Sequence, residues 1–129
     1  MSHSVNITTQ FKNIGNLLNQ FVKKGWVIDI NQTCNTYPSD PRRNEVHNYV
    51  ARNPKNGGYD VGIQMDQEGN AFFICDFFDS SIERALGEGL QDIRQGYAFD
   101  ELREFMEQEN LGYSIKSLES GEMVITAEG

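Results

Sequence analysis

The chain has 129 residues, a formal net charge of −8 and a sequence pI of about 4.6. That length suits one domain with its own core, and 11% aromatic residues exclude a disordered chain, which needs few large apolar groups. No apolar run reaches the roughly 18 residues of a membrane-crossing helix, and so acidic a chain is a poor general binder of duplex nucleic acid, whose affinity draws on Lys and Arg.

Ser4-Val5-Asn6-Ile7-Thr8 alternates polar and apolar residues and predicts a short half-buried strand. Phe11, Ile14, Leu17, Leu18, Phe21 and Val22 follow at three- and four-residue spacing, one apolar stripe of an amphipathic helix. Thr8 or Thr9 is the expected N-cap and Gly25 the expected terminator. Lys23 and Lys24 sit where a helix C-terminus favours cations. Trp26 to Ile30 reads as a second strand, which makes the start of the chain a compact strand–helix–strand unit. Residues 31–44 hold Pro38 and Pro41 among Asn, Thr, Ser and Asp and read as a long loop.

Glu45 to Arg52 alternates as a strand does, Asn53 to Gly58 is a turn, and Tyr59 to Met65 is a strand. Asp66 to Asn70 is a five-residue hairpin loop containing Gly69. Ala71-Phe72-Phe73-Ile74-Cys75 returns beside it; apolar on both faces, it reads as a central strand. Ser80 with Glu83 has the spacing of a capping box and opens a helix carrying Ile82, Ala85, Leu86, Leu90 and Ile93. A break is expected near Gly96. Ala98, Leu102, Phe105 and Met106 then carry a second apolar face to about Asn110. Residues 113–118 and 123–126 close the chain as a hairpin around Ser120-Gly121. The order β-α-β-β-β-β-α-α-β-β describes a single α+β domain over residues 1–129, mainly antiparallel sheet with about three helices packed on it.

Charge is unevenly spread. Residues 1–60 hold seven Lys/Arg against four Asp/Glu, whereas residues 61–129 hold four against fifteen. Such asymmetry marks two different surfaces on one domain. The basic one gathers Arg42, Arg43, His47, Arg52 and Lys55 with Tyr37 and Tyr49, types that hold anions by guanidinium donors and stack on bases. These residues of the 37–55 stretch are the candidate ligand-binding set (Arg42, Arg43, His47, Tyr49, Arg52, Lys55). The acidic helical surface, Glu101, Glu104, Glu107 and Glu109, is the candidate partner-binding set.

Reaction centres are sparse. A nucleophile needs a base and an orienting group within hydrogen-bond reach, and Cys75 with His47 and Asp60 or Asp76 is the only such combination. Nothing in its spacing supports it, so no catalytic residue is expected. Asp76 and Asp79 with Asp60 or Glu83 offer oxygens to a hard cation, but as a helix cap and a solvent-facing residue they need none. Cys34, Cys75, His3 and His47 lack zinc spacing. No metal and no cofactor are expected, and both cysteines are expected reduced.

Three segments together resemble the hypothetical chloroplast reading frame 35 family, a domain of unknown function in plastid, cyanobacterial, other bacterial and phage genomes. They are Met1-Ser2-His3 running to Ile7-Thr8-Thr9 and a helix, then Gly58-Tyr59-Asp60-Val61-Gly62-Ile63, then Gln95-Gly96-Tyr97-Ala98 before a helix and a final hairpin. The family pattern more often has Arg where Gly96 stands, and residues 31–56 match poorly. The resemblance implies no reaction and no catalytic residues. It implies an accessory or adaptor protein beside an AAA-type ATPase or a nucleic-acid-handling complex.

The function these readings predict is a small non-catalytic binding or adaptor protein acting through protein–protein contact, an inhibitor of a host system if phage-encoded. The alternative is a binder of a small anion or nucleotide, or an enzyme, using the basic loop 37–55. A third reading is a homo-oligomer paired through a strand edge. Neither a basic segment nor an apolar core follows Met1, so no secretory signal is expected. The expected location is cytoplasmic, stromal in plastid-encoded relatives and host cytoplasm for a phage.

Overall fold

The computed structural model describes residues 5–78, 80–109, 112–117 and 123–128, with side chains described from Phe11 to Glu109 apart from Asp79. Strands β1 (Val5–Phe11), β2 (Val27–Thr33), β3 (Val46–Arg52), β4 (Val61–Met65) and β5 (Ala71–Cys75) form one antiparallel sheet in the order β1-β5-β4-β3-β2. Helices α1 (Ile14–Lys23), α2 (Ser81–Leu86) and α3 (Gln91–Gln108) supply the core on one face of it. A second, two-stranded sheet of β6 (Gly112–Ser117) and β7 (Met123–Glu128) lies against α3. The fold is α+β, with elements in the expected order. Expectations for Ser4, Asp79, Asn110 and the Ser120-Gly121 turn fall outside the described residues.

β5 is central as its sequence demands, flanked by β1 and β4. Ala71, Phe73 and Cys75 join the helix-side core, and Ile74 is buried on the opposite face. The Asp66 carboxylate closes the preceding hairpin by accepting from Glu68 N and Asn70 N, both at 2.9 Å. β1 and β2, by contrast, are not neighbours. They are the two edges of the sheet, so α1 crosses its whole face instead of closing a compact strand–helix–strand unit.

Local details also differ from the sequence pattern. β1 runs on to Phe11, so the N-cap of α1 is Asn13, whose side chain accepts from Asn16 N at 3.1 Å, and not Thr8 or Thr9. Gly25, at φ +87°, does end that helix. Ser80 makes no side-chain cap; Glu83 turns instead to accept from Gly89 N at 3.1 Å. The helical break comes at Gly87 and Gly89, both at positive φ, and not at Gly96. Gly96 lies inside α3 where it crosses α1, and a Cβ there would collide with the Gln20 side chain. A glycine spaced for a break is here a point of close helix contact.

Candidate functional site

The second face of the sheet is built by bending the β2–β3 ribbon back on itself. Arg52 pairs in register with Val27, yet its Nη1 donates to the carbonyl of Thr33, six residues further along β2, at 2.8 Å. Asn31 sits between them at φ 55°. The folded-back ribbon brings His47 over Gly62, so close that a Cβ on Gly62 would lie 2.9 Å from the ring. Val50 and Ile74 are buried on this side, outside the helix-side cluster.

Buried carboxylates pin the loops here. Asp60, 3% exposed, accepts from Asn35 N at 2.8 Å, Asn53 N at 2.9 Å and Arg52 Nη1 at 2.9 Å. Arg52 Nε also donates to Asp29 at 2.8 Å. Burial works against the Arg52 charge, but its hydrogen bonds to Asp29 and Asp60 outweigh that and raise its pKa. Asp40 accepts from Arg42 N at 2.8 Å, and Asp76 from Phe78 N at 3.0 Å. Each buried acid is itself satisfied by at least one loop amide.

The six basic-loop candidates therefore separate. Arg52 is the hub of this network. His47, 2% exposed, is 2.8 Å from Gln64 Nε2, which also donates to Glu45 at 2.6 Å. With the amide donating, Nδ1 is an acceptor and the ring is neutral; burial, before any charge, lowers its pKa below 6.5. Tyr49 packs on the helix-side core. Arg42 lies 3.8 Å from Glu45, Arg43 donates to the Pro38 carbonyl at 3.3 Å, and Lys55 is exposed. Beside this loop the Tyr37 and Phe78 rings pair with their centres 5.1 Å apart. Phe78, 57% exposed, was not visible as a surface residue in its apolar run.

The residues of the nucleophile reading do not meet. Cys75 belongs to the helix-side core, while His47 covers Gly62 on the other face. Burial pushes the Cys34 thiol up to about 12 and raises that of Cys75 as well, so neither is a thiolate near neutral pH. Among the described residues, no three His, Cys, Asp or Glu side chains gather as a metal site.

α3 packs on α1 through polar contacts. Tyr97 Oη accepts from Lys12 N at 3.1 Å and Asn13 N at 3.0 Å, and so satisfies amides at the start of α1. Asp100 is held by Gln20 and Lys23, each at 2.8 Å. Burial opposes its ionisation, but those bonds prevail and lower its pKa. Between the helices lies an open groove of about 810 Å³, where Glu104 and Glu107 face Asn16, Asn19 and Lys23. The acidic candidates thus divide, with Glu104 and Glu107 in the groove and Glu101 and Glu109 on the outer side of the helix. Glu101 Oε1 is covered and accepts no hydrogen bond.

That outer side corrects a second expectation. Of the apolar face read over Ala98 to Met106, only Met106 is buried; Leu102 is 38% and Phe105 54% exposed. The core direction of α3 is set instead by Ile93 and Tyr97.

Four of the residues that carried the family resemblance have structural roles in this chain: Asp60 pins the ribbon, Gly62 receives His47, Gly96 admits Gln20 and Tyr97 caps α1. No family model, curated protein or solved structure matches the chain, and no helix among the described residues is long and apolar enough to cross a membrane.

Proposed function

We propose that this chain is a small non-catalytic binding module that acts through protein–protein contact, with the outer face of α3 as its contact surface. The observation that supports this is the exposed pair Leu102 and Phe105, three residues apart on a helix bordered by carboxylates. Single exposed apolar residues are ordinary. An aromatic and an aliphatic residue on one helix face are the side chains that interface cores collect. The likeness to the reading frame 35 family supports the same role: an accessory protein in the cytoplasm or stroma, beside an AAA-type ATPase or a nucleic-acid-handling complex. In a phage the same surface would serve an inhibitor.

The test is position-specific cross-linking in the source cell. A photoreactive phenylalanine analogue at Phe105 should yield a discrete cross-linked protein, and the same analogue at Gln67, exposed in the β4–β5 hairpin, should not. Equal labelling from both positions, or none from Phe105, would remove the reading.

A further inference from the structure

We infer that the partner of α3 presents a basic amphipathic helix. This rests on the binding-module reading above and adds the chemistry of what is bound.

Ala98, Leu102, Phe105 and Glu109 are spaced by four, three and four residues, so they form one stripe, and all four are exposed. From Ala98 to Phe105 the stripe is about 10 Å long at the helical rise of ~1.5 Å per residue. Glu101 borders it and Glu109 ends it. Residues 100–109 hold five carboxylates against one cation, Arg103. That cation is spent elsewhere, 3.5 Å from Asp100 and 5.7 Å from the Phe99 ring centre.

The last turn of α3 contains no basic residue, although a helix C-terminus is the negative end of the backbone dipole and is stabilised by cations. Glu109, on the outer side, therefore stands where negative charge is least favoured. A bound cation relieves that repulsion, while a phosphate backbone or an anionic membrane would add to it.

Charge alone does not complete the match. A polybasic chain would answer the carboxylates and leave Phe105 in water. A helix with apolar residues at three- and four-residue spacing and Lys or Arg on its flanks covers both. The apolar centre also separates this surface from a nucleic-acid mimic, which needs negative charge and no aromatic anchor.

The test is fluorescence anisotropy with two labelled peptides, one of Leu and Lys patterned as an amphipathic helix and one of equal length made only of Lys. The patterned peptide should bind the intact chain more tightly. Its affinity should fall at least about tenfold in Phe105→Ser, as for an interface anchor, and also in the Glu101→Lys, Glu109→Lys double variant. The all-lysine peptide should respond to the charge reversal and not to Phe105→Ser. Phe105 and Glu109 are exposed and Glu101 is half-buried, and an unchanged thermal unfolding curve checks that each variant folds. Equal affinity of the two peptides would replace the proposal by charge mimicry. Binding of the patterned peptide that is indifferent to Phe105→Ser, or no binding of either peptide, would overturn it. In the last case a cross-link from Phe105 would still uphold the broader reading.

Discussion

On the helix side of the sheet, Phe73 meets Phe11 and Phe21 with ring centres 5.2 and 5.9 Å apart, and Leu17, Ile63, Ile82, Leu86 and Ile93 fill the space around them. On the ribbon side, Asp60 gathers two loop amides and a guanidinium, and a histidine lies flat against a glycine. The first face is held by area removed from water, which is non-directional and tolerant of shape as long as volume is kept. The second is held by directional bonds in which each buried polar group depends on its partner. The same five strands thus carry two layers that should fail in different ways.

The largest effect is expected on the helix side. Phe73→Ala leaves a cavity at the centre of the aromatic cluster and should cost about 3–5 kcal/mol. Denaturant unfolding should show it as a loss of global stability, with the transition still cooperative. A cost below about 1 kcal/mol would mean that this face is not the principal core.

Asp60→Ala should cost about 3 kcal/mol, because it strands Arg52 and two loop amides that Asp60 accepts from. It sharpens the contrast by where it acts: limited proteolysis should first open the ribbon and loop 34–45, with the helix-side elements still protected. Simultaneous cleavage throughout the chain would show that the two layers are one cooperative unit. The ion pair of Lys24 with Asp92, where both side chains are more than a third exposed, is no equivalent, since such pairs contribute little.

The smallest effect is the pH dependence from His47. Burial lowers its pKa below 6.5, so folding favours the neutral ring. That contribution is fully present above 6.5 and declines as pH falls toward the depressed folded value. Denaturant titrations of the intact chain and His47→Gln at pH 7.5 and 5.5 should therefore show the larger loss on acidification in the intact chain. Equal losses would mean that the ring is not held neutral by its site.

The helix-side layer was largely legible in the sequence because apolar spacing is the signal of burial. β5, its hairpin and the order of the elements follow from alternation and turn residues read locally. The ribbon side was not, since polar residues along a strand read as solvent-facing. Arg52 and His47 therefore looked like parts of an anion site when their partners, Asp60 and Gln64, lie far enough along the chain that no local pattern joins them. Leu102 and Phe105 misled in the opposite sense: apolar spacing marks a face, and cannot say whether anything covers it.

By itself the sequence determined an α+β chain, the sites of its turns, the separation of basic and acidic halves and most of the apolar core, all of which depend on neighbours within a few residues. Only the tertiary structure decided that β1 and β2 are opposite edges, that the basic residues are divided between network, core and surface, and that α3 leaves an aromatic residue in water. Those outcomes depend on which distant segments meet, and burial and charge pairing are properties of that meeting and not of the residue alone.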